Sequence, residues 1–211
     1  AAFLLHRNPA GRLARMPDLR PALPYLLLAV ATFAAYWNAW PEALVLDDKL
    51  FAGHERFADL SRLPDFFRET VWATAGANET LYRPLLMVSI AIDAALFADR
   101  LAAYHLVNVF LHVLATLLVY LLLRRLLRLA EPRDESAAFI ALLAALVFGV
   151  HPLHAEVVNS IFNRSTLFVA IGTAGGLCWL LRHFEARPAL AWTGIWLAYW
   201  FVLFSRETGI V

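Results

Sequence analysis

The chain has 211 residues, of which 61% are hydrophobic and 17% charged, with a mean hydropathy of +0.62. Soluble domains carry about 25% charged residues, so this composition excludes an ordinary water-exposed globule and points to an all-α bundle of helices in lipid. A net charge of +1, from 17 Arg and one Lys against 17 acids, gives no basic surface for nucleic acid, and a single cysteine, Cys178, excludes a disulfide or cysteine-metal framework.

Residues 1–20 carry Arg7, Arg12, Arg15 and Arg20 against Asp18 and read as a basic cytoplasmic arm. Residues 21–211 read as one membrane domain. Five runs free of Asp, Glu, Lys and Arg approach the ~20 residues, range about 17–25, that a spanning helix needs: 21–41, 101–123, 136–155, 165–181 and 188–205. The first is longer than the apolar region of a signal peptide and lacks a clear cleavage site, which predicts a retained anchor. The run 136–155 is broken near its end by His151-Pro152. A shorter stretch, 84–98, contains Asp93 and predicts an interfacial or re-entrant helix. Within the connecting segment 42–100, Leu60, Leu63, Phe66 and Phe67 recur at near-helical spacing among charges, predicting a second interfacial helix over 57–67. The chain opens without Met and stops at Val211 in an apolar region, as a domain truncated at its C-terminus would.

Arginine asymmetry sets the orientation. The arm, the loop 124–136 and the turn 182–188 hold ten of the 18 basic residues, whereas segment 42–100 holds ten acids and six bases. With five spans and the N-terminus inside, 42–100 forms an outer loop, and five polar motifs fall together on the outer face. These are Asp47-Asp48, Tyr82-Arg83-Pro84, His151-Pro152-Leu153-His154-Ala155-Glu156, Asn163-Arg164-Ser165 and Ser205-Arg206-Glu207-Thr208-Gly209. Charges beside a hydrocarbon core are costly, so such a convergence is a candidate site.

The chemistry each motif can do differs. Two adjacent carboxylates flanked by Val45-Leu46 and Leu50-Phe51 suit a general base, or alternatively an oxygen site for a divalent cation, and spacing does not separate the two. His151, His154 and Glu156 fit no zinc motif and suit a phosphate contact or a helix cap. Arg164 and Arg206 suit a bidentate phosphate clamp steadied by Glu156 and Glu207. His105, Asn108 and His112 form a polar stripe at i, i+3 and i+7; interhelical hydrogen bonding accounts for His112, while His105 lies near the outer end, within reach of the site.

In this order, the motifs resemble the membrane domain of the transmembrane O-mannosyltransferases, within the glycosyltransferase-C superfamily. The matching residues are the acidic pair, Tyr-Arg-Pro-Leu, Tyr104-His105-Leu106-Val107-Asn108 with His112, His-Pro-x-His-x-Glu with a later Arg, and Ser-Arg-Glu-x-Gly. The resemblance implies a polytopic enzyme, inverting at the anomeric carbon, that moves a sugar from a polyprenyl- or dolichyl-phosphate donor to a hydroxyl acceptor on protein or glycan. It implies Asp48 as catalytic base with Asp47 beside it, and Arg83, His105, His151, His154, Glu156, Arg164, Arg206 and Glu207 around donor and substrate. It further implies a bacterial inner membrane with the site facing the periplasm, or the endoplasmic-reticulum membrane in a eukaryote. Asn163-Arg164 departs mildly from the Gly-Arg common in relatives. The same polar cluster is open to a second reading, a transporter or lipid-binding subunit without chemistry, although its charges gather at one face rather than at the bilayer midplane.

Overall fold

The structure is a computed structural model that describes residues 20–39, 48–49, 54–73, 81–98 and 100–210. Every regular element among them is helical: α1 (Leu23–Ala35), α2 (Pro84–Phe97), α3 (Leu101–Ala130), α4 (Ala137–Val150), α5 (Ala155–Val158), α6 (Arg164–His183) and α7 (Pro188–Ser205), joined by short 3-10 turns. The chain is an all-α membrane helix bundle. Helices α3, α6 and α7 are each long and apolar enough to cross a bilayer, and α4 joined to Pro152–Val158 makes a fourth candidate, bent by 44°. The bend sits at His151-Pro152, where the proline ring cannot continue the helical ladder. The first apolar run is helical over 13 residues, preceded by a 3-10 turn at Arg20–Ala22, and so is shorter than a straight crossing requires.

Proline punctuates the starts. Pro24, Pro84 and Pro188 each occupy the first turn of a helix, where a missing N–H costs nothing and φ is already helical. Helix α2 is the short apolar helix expected at 84–98. The helix expected over 57–67 is not continuous. Three separate 3-10 turns stand there, Glu55–Phe57, Leu60–Arg62 and Asp65–Phe67. The His54 ring nitrogen accepts from the Arg56 amide and the Asp59 carboxylate from the Ser61 amide, so the first two turns are capped locally, and Pro64, at the start of the third, interrupts any longer ladder. Phe57 and Phe66 point into the core while Leu60 and Phe67 stay exposed. Arg56 ties this segment down, donating to the Val71 carbonyl at 3.0 Å and to Glu69 at 2.7 Å.

Helix α3 is central, packing on α1, α4 and α6, and α7 lies along α6. Lipid-facing positions keep large apolar side chains: Leu23, Val147 and Leu197 are each more than 60% exposed, as expected when the surrounding solvent is hydrocarbon. The interior contacts use small residues, since apolar side chains gain little by leaving lipid and close backbone packing must supply the attraction. A methyl group built on Gly176 would stand 2.6 Å from the Ala198 Cβ across the α6–α7 seam. At Gly149 the same methyl would meet Thr32 of α1 and stand 2.8 Å from Thr116 Cγ2 of α3. Gly149→Ala is therefore expected to destabilise the bundle by about 1–3 kcal/mol through overpacking, read as a lower thermal midpoint in detergent.

At the pole where α1, α4 and α7 end and α6 begins, a separate apolar cluster forms. Phe57, Phe66, Val71 and Trp72 of the connecting segment pack with Leu86, Met87 and Ile90 of α2, Tyr104 of α3, and Ile161 and Phe162. This cluster seats α2 and the α5–α6 loop against α3. It is the platform on which the polar motifs meet.

Candidate active site

The α5–α6 loop, residues 159–163, is the hub. Asp48 is fully buried beside it. Its Oδ1 accepts from the Phe162 amide at 2.8 Å and from the Ser160 hydroxyl at 3.0 Å. Its Oδ2 is buried too and has no hydrogen-bond partner among the described residues. Among the described residues one oxygen is thus fixed by hydrogen bonds and the other makes none, an arrangement compatible with a proton acceptor. Asp47 lies outside the described residues. Among the described residues no three His, Cys, Asp or Glu side chains converge to hold a metal ion.

Phe162 links Asp48 to a second group. While its amide serves Asp48, its ring lies 5.0 Å from the Arg83 guanidinium carbon, a cation–π contact. Arg83, the N-cap of α2, is 5% exposed and clasps Glu207 bidentately: Nε lies 3.1 and 3.2 Å from the two carboxylate oxygens, and Nη2 2.9 Å from one of them. Its Nη1 is buried without a hydrogen-bond partner among the described residues. Arg206, which ends α7, donates to the Thr166 hydroxyl in the first turn of α6. Burial lowers the Arg206 pKa from its ordinary value, and the Arg83 charge lowers it further, against Glu207 and Glu156, which raise it. Glu156 itself is exposed at this pole. Burial alone would raise the Glu207 carboxyl, but the hydrogen bonds from Arg83 and the charges of Arg83 and Arg206 outweigh it and hold the pKa below its ordinary 4.5.

The sign of that shift fixes a pH dependence. A carboxyl with a depressed folded-state pKa adds stability that is present above about 4.5 and is lost as pH falls through the lower folded value. Wild type should accordingly lose part of its thermal stability below that point, whereas Glu207→Gln should start lower and show a flatter profile. Parallel melting curves in detergent across pH 3–7 check this.

Arg164 departs from expectation. As the first residue of α6 it is 0% exposed, with every guanidinium nitrogen directed inward: Nε to Asn108 Oδ1 at 2.6 Å, Nη1 to Ser89 Oγ at 3.3 Å, and Nη2 to the Tyr104 carbonyl at 3.0 Å and to Asp93 Oδ2 at 2.6 Å. The phosphate clamp expected of Arg164 does not fit this geometry, because its donors already serve internal acceptors. Arg206 and Arg83 are the arginines grouped with Glu207 at this pole.

The histidines divide. His151 caps the turn after α4, its Nδ1 accepting from the Leu153 amide at 3.3 Å, while its carbonyl takes the Tyr36 hydroxyl at 2.5 Å. His154 sits in an aromatic group, 4.6 Å from the Phe148 ring and 5.0 Å from His112. His112 donates from Nε2 to the Gly149 carbonyl at 3.0 Å, the interhelical bond expected of it. His105 is buried on α3. Three residues that the sequence did not single out complete the network: Asp93, Ser160 and Thr166. A carboxylate inside an apolar helix was a signal for Asp93; Ser160 and Thr166 carry none, being common helix-end residues.

Comparison with curated proteins returns one group repeatedly. The chain is 30% identical to protein O-mannosyl-transferase Tmtc3 of Drosophila melanogaster over 168 residues, 72% of this chain and 18% of that protein. It is 25% identical to TMTC3 of Mus musculus over 203 residues, 93% of this chain and 21% of that one. The chain is related to the transmembrane O-mannosyl-transferases. Tmtc1 of Drosophila melanogaster is a further relative, 29% identical over 183 residues, or 82% of this chain and 20% of its own length. The chain spans about a fifth of the length of these relatives. No protein-family model matches it, and neither does any solved structure.

Proposed function

We propose that this chain carries the catalytic pole of a membrane glycosyltransferase that moves a sugar from a polyprenyl- or dolichyl-phosphate donor to a protein hydroxyl on the outer face of the membrane. The observation that carries the reading is Asp48, buried at a helix-bundle pole with one carboxylate oxygen fixed and the other unpartnered among the described residues. The names of the relatives supply the reaction class.

In this mechanism Asp48 Oδ2 takes the proton of the acceptor hydroxyl as its oxygen bonds to the anomeric carbon. The bond from that carbon to the lipid phosphate oxygen breaks, and the lipid phosphate leaves with the electron pair, inverting the anomeric centre. The developing negative charge calls for fixed cations. Arg206 and the Arg83 Nη1, which has no hydrogen-bond partner among the described residues, suit that task, with Glu207 holding the Arg83 guanidinium in place and Thr166 that of Arg206. A groove of about 220 Å³ between α6 and α7, lined by Val169, Gly172, Leu177, Ile195 and Val202, runs up to Thr208 and Gly209 beside Arg206. Its apolar walls suit a polyprenyl tail whose phosphate reaches the arginine. The divalent cation open at Asp47 and Asp48 is tested separately, by adding a chelator to the transfer assay.

Donor binding tests this reading. In the full-length protein, Arg206→Ala is expected to weaken binding of a radiolabelled polyprenyl-phosphate sugar about 10- to 100-fold, the scale of a charge-assisted hydrogen bond. Arg206→Lys should recover part of that loss, since it keeps the charge and not the fork. Unchanged donor affinity in Arg206→Ala would remove the arginine from the phosphate contact.

A further inference from the structure

We infer that Asn108, Arg164 and Asp93 form a positioning device that sets the α5–α6 loop and, through it, the orientation of Asp48. This rests on the reading of Asp48 as the base.

The loop 159–163 is gripped from two sides. On one side Asn108 Nδ2 donates to the Val158 carbonyl at 3.2 Å and to the Ser160 carbonyl at 2.8 Å. On the other side the Ser160 hydroxyl and the Phe162 amide hold Asp48 Oδ1. Ser160 joins the two grips in one residue: its carbonyl belongs to Asn108, and its hydroxyl donates to Asp48 and accepts from the Asn163 amide at 3.2 Å. A shift of the Ser160 backbone therefore moves the carboxylate.

Asn108 is in turn held by Arg164. The amide oxygen takes Arg164 Nε at 2.6 Å, which fixes the flip of the amide so that its NH2 group must face the two loop carbonyls. Arg164 directly follows the loop and is anchored on α2 by Asp93 at 2.6 Å and on α3 by the Tyr104 carbonyl at 3.0 Å. Three helices thus meet at one loop through a single chain of hydrogen bonds and one ion pair. None of Asn108, Arg164 and Asp93 is more than 4% exposed, so none is turned to a ligand. Their common output is the place of Ser160 Oγ and Phe162 N. Small displacements of a reacting group cost rate steeply, about 100-fold for ~1 Å, which is why such a device matters to a base.

The experiment uses the full-length protein with Asn108→Ala, Ser160→Ala and the double variant, following both turnover and hydrogen exchange of the loop amides. Ser160→Ala removes one hydroxyl and keeps the backbone, so it stays informative if Asn108→Ala folds poorly. Expected is a fall in kcat of about 10- to 100-fold in Asn108→Ala with donor KM within about 3-fold, since positioning acts on the chemical step and not on donor binding. The double variant should be little worse than the worse single one, because both act through the same carboxylate. Exchange at the Phe162 amide should quicken in Asn108→Ala. A raised donor KM with unchanged kcat, losses that multiply in the double variant, or an unchanged Phe162 amide would each overturn the inference. A full-length wild type that transfers no sugar would instead overturn the base assignment, while the exchange measurement, which needs no turnover, still decides the positioning.

Discussion

Asp48→Asn is expected to lower the rate of sugar transfer about 10²- to 10⁴-fold, the range for loss of a general base. The amide oxygen can still accept from Ser160 and Phe162, so the loop and the fold should survive, and donor affinity should be close to that of wild type. What is lost is confined to the second oxygen, which becomes an NH2 group and can no longer take a proton. Asp48→Ala removes both functions and should add loop disorder to the loss of rate. Comparing the two variants by kcat, donor affinity and melting temperature separates the base from the anchor. Equal rates in Asp48→Asn and wild type would eliminate Asp48 as the proton acceptor.

The largest expected effect on stability lies at the buried ion pair. Asp93→Ala leaves the Arg164 guanidinium at 0% exposure without its counter-charge, and breaking a buried pair by removing one member costs about 3–5 kcal/mol. Removing both charges is a different perturbation. Asp93→Leu with Arg164→Met replaces two desolvated ions by apolar groups of similar bulk, and such exchanges are frequently neutral or stabilising. The double variant should therefore recover most of the stability lost in Asp93→Ala, yet lose the hold on Asn108 and with it the set of the loop. Denaturant titration in mixed micelles measures the first effect and hydrogen exchange at Phe162 the second. A cost below about 1 kcal/mol for Asp93→Ala would mean that the pair does not form in the bilayer.

Much of the architecture was legible from proline and charge. Pro84 and Pro188 mark where α2 and α7 begin, and His151-Pro152 marks the bend after α4, because each proline acts locally on its own backbone. The segment 57–67 departs from the expected helix for the opposite reason. Near-helical spacing of Leu60, Leu63, Phe66 and Phe67 is satisfied as well by three short turns as by one helix, and the caps at His54 and Asp59 together with Pro64 decide between them. In the candidate site, Asp48, Arg83, Arg206 and Glu207 stand out in the sequence, but Ser160, Thr166 and the division of labour among them do not. An arginine at a span end looks the same whether it reaches outward or inward. Arg164 turns inward because Asp93, 71 positions earlier, and Asn108 lie beneath it, and those contacts exist only once α2, α3 and α6 are packed. The Asp48 oxygen without a partner among the described residues is equally invisible, since Phe162, which holds the other oxygen, is 114 residues away.

The central claim is that Asp48 is the base of a transfer from a lipid-phosphate sugar. The measurement that meets it most directly is a single-turnover assay of the full-length protein with a polyprenyl-phosphate-linked mannose and a peptide hydroxyl acceptor, run for wild type and Asp48→Asn at saturating donor. Wild type is expected to form the glycoside with inversion at the anomeric carbon, and Asp48→Asn to form it at least about 100-fold more slowly while still binding the donor. Glycoside formation by Asp48→Asn at the wild-type rate would contradict the claim.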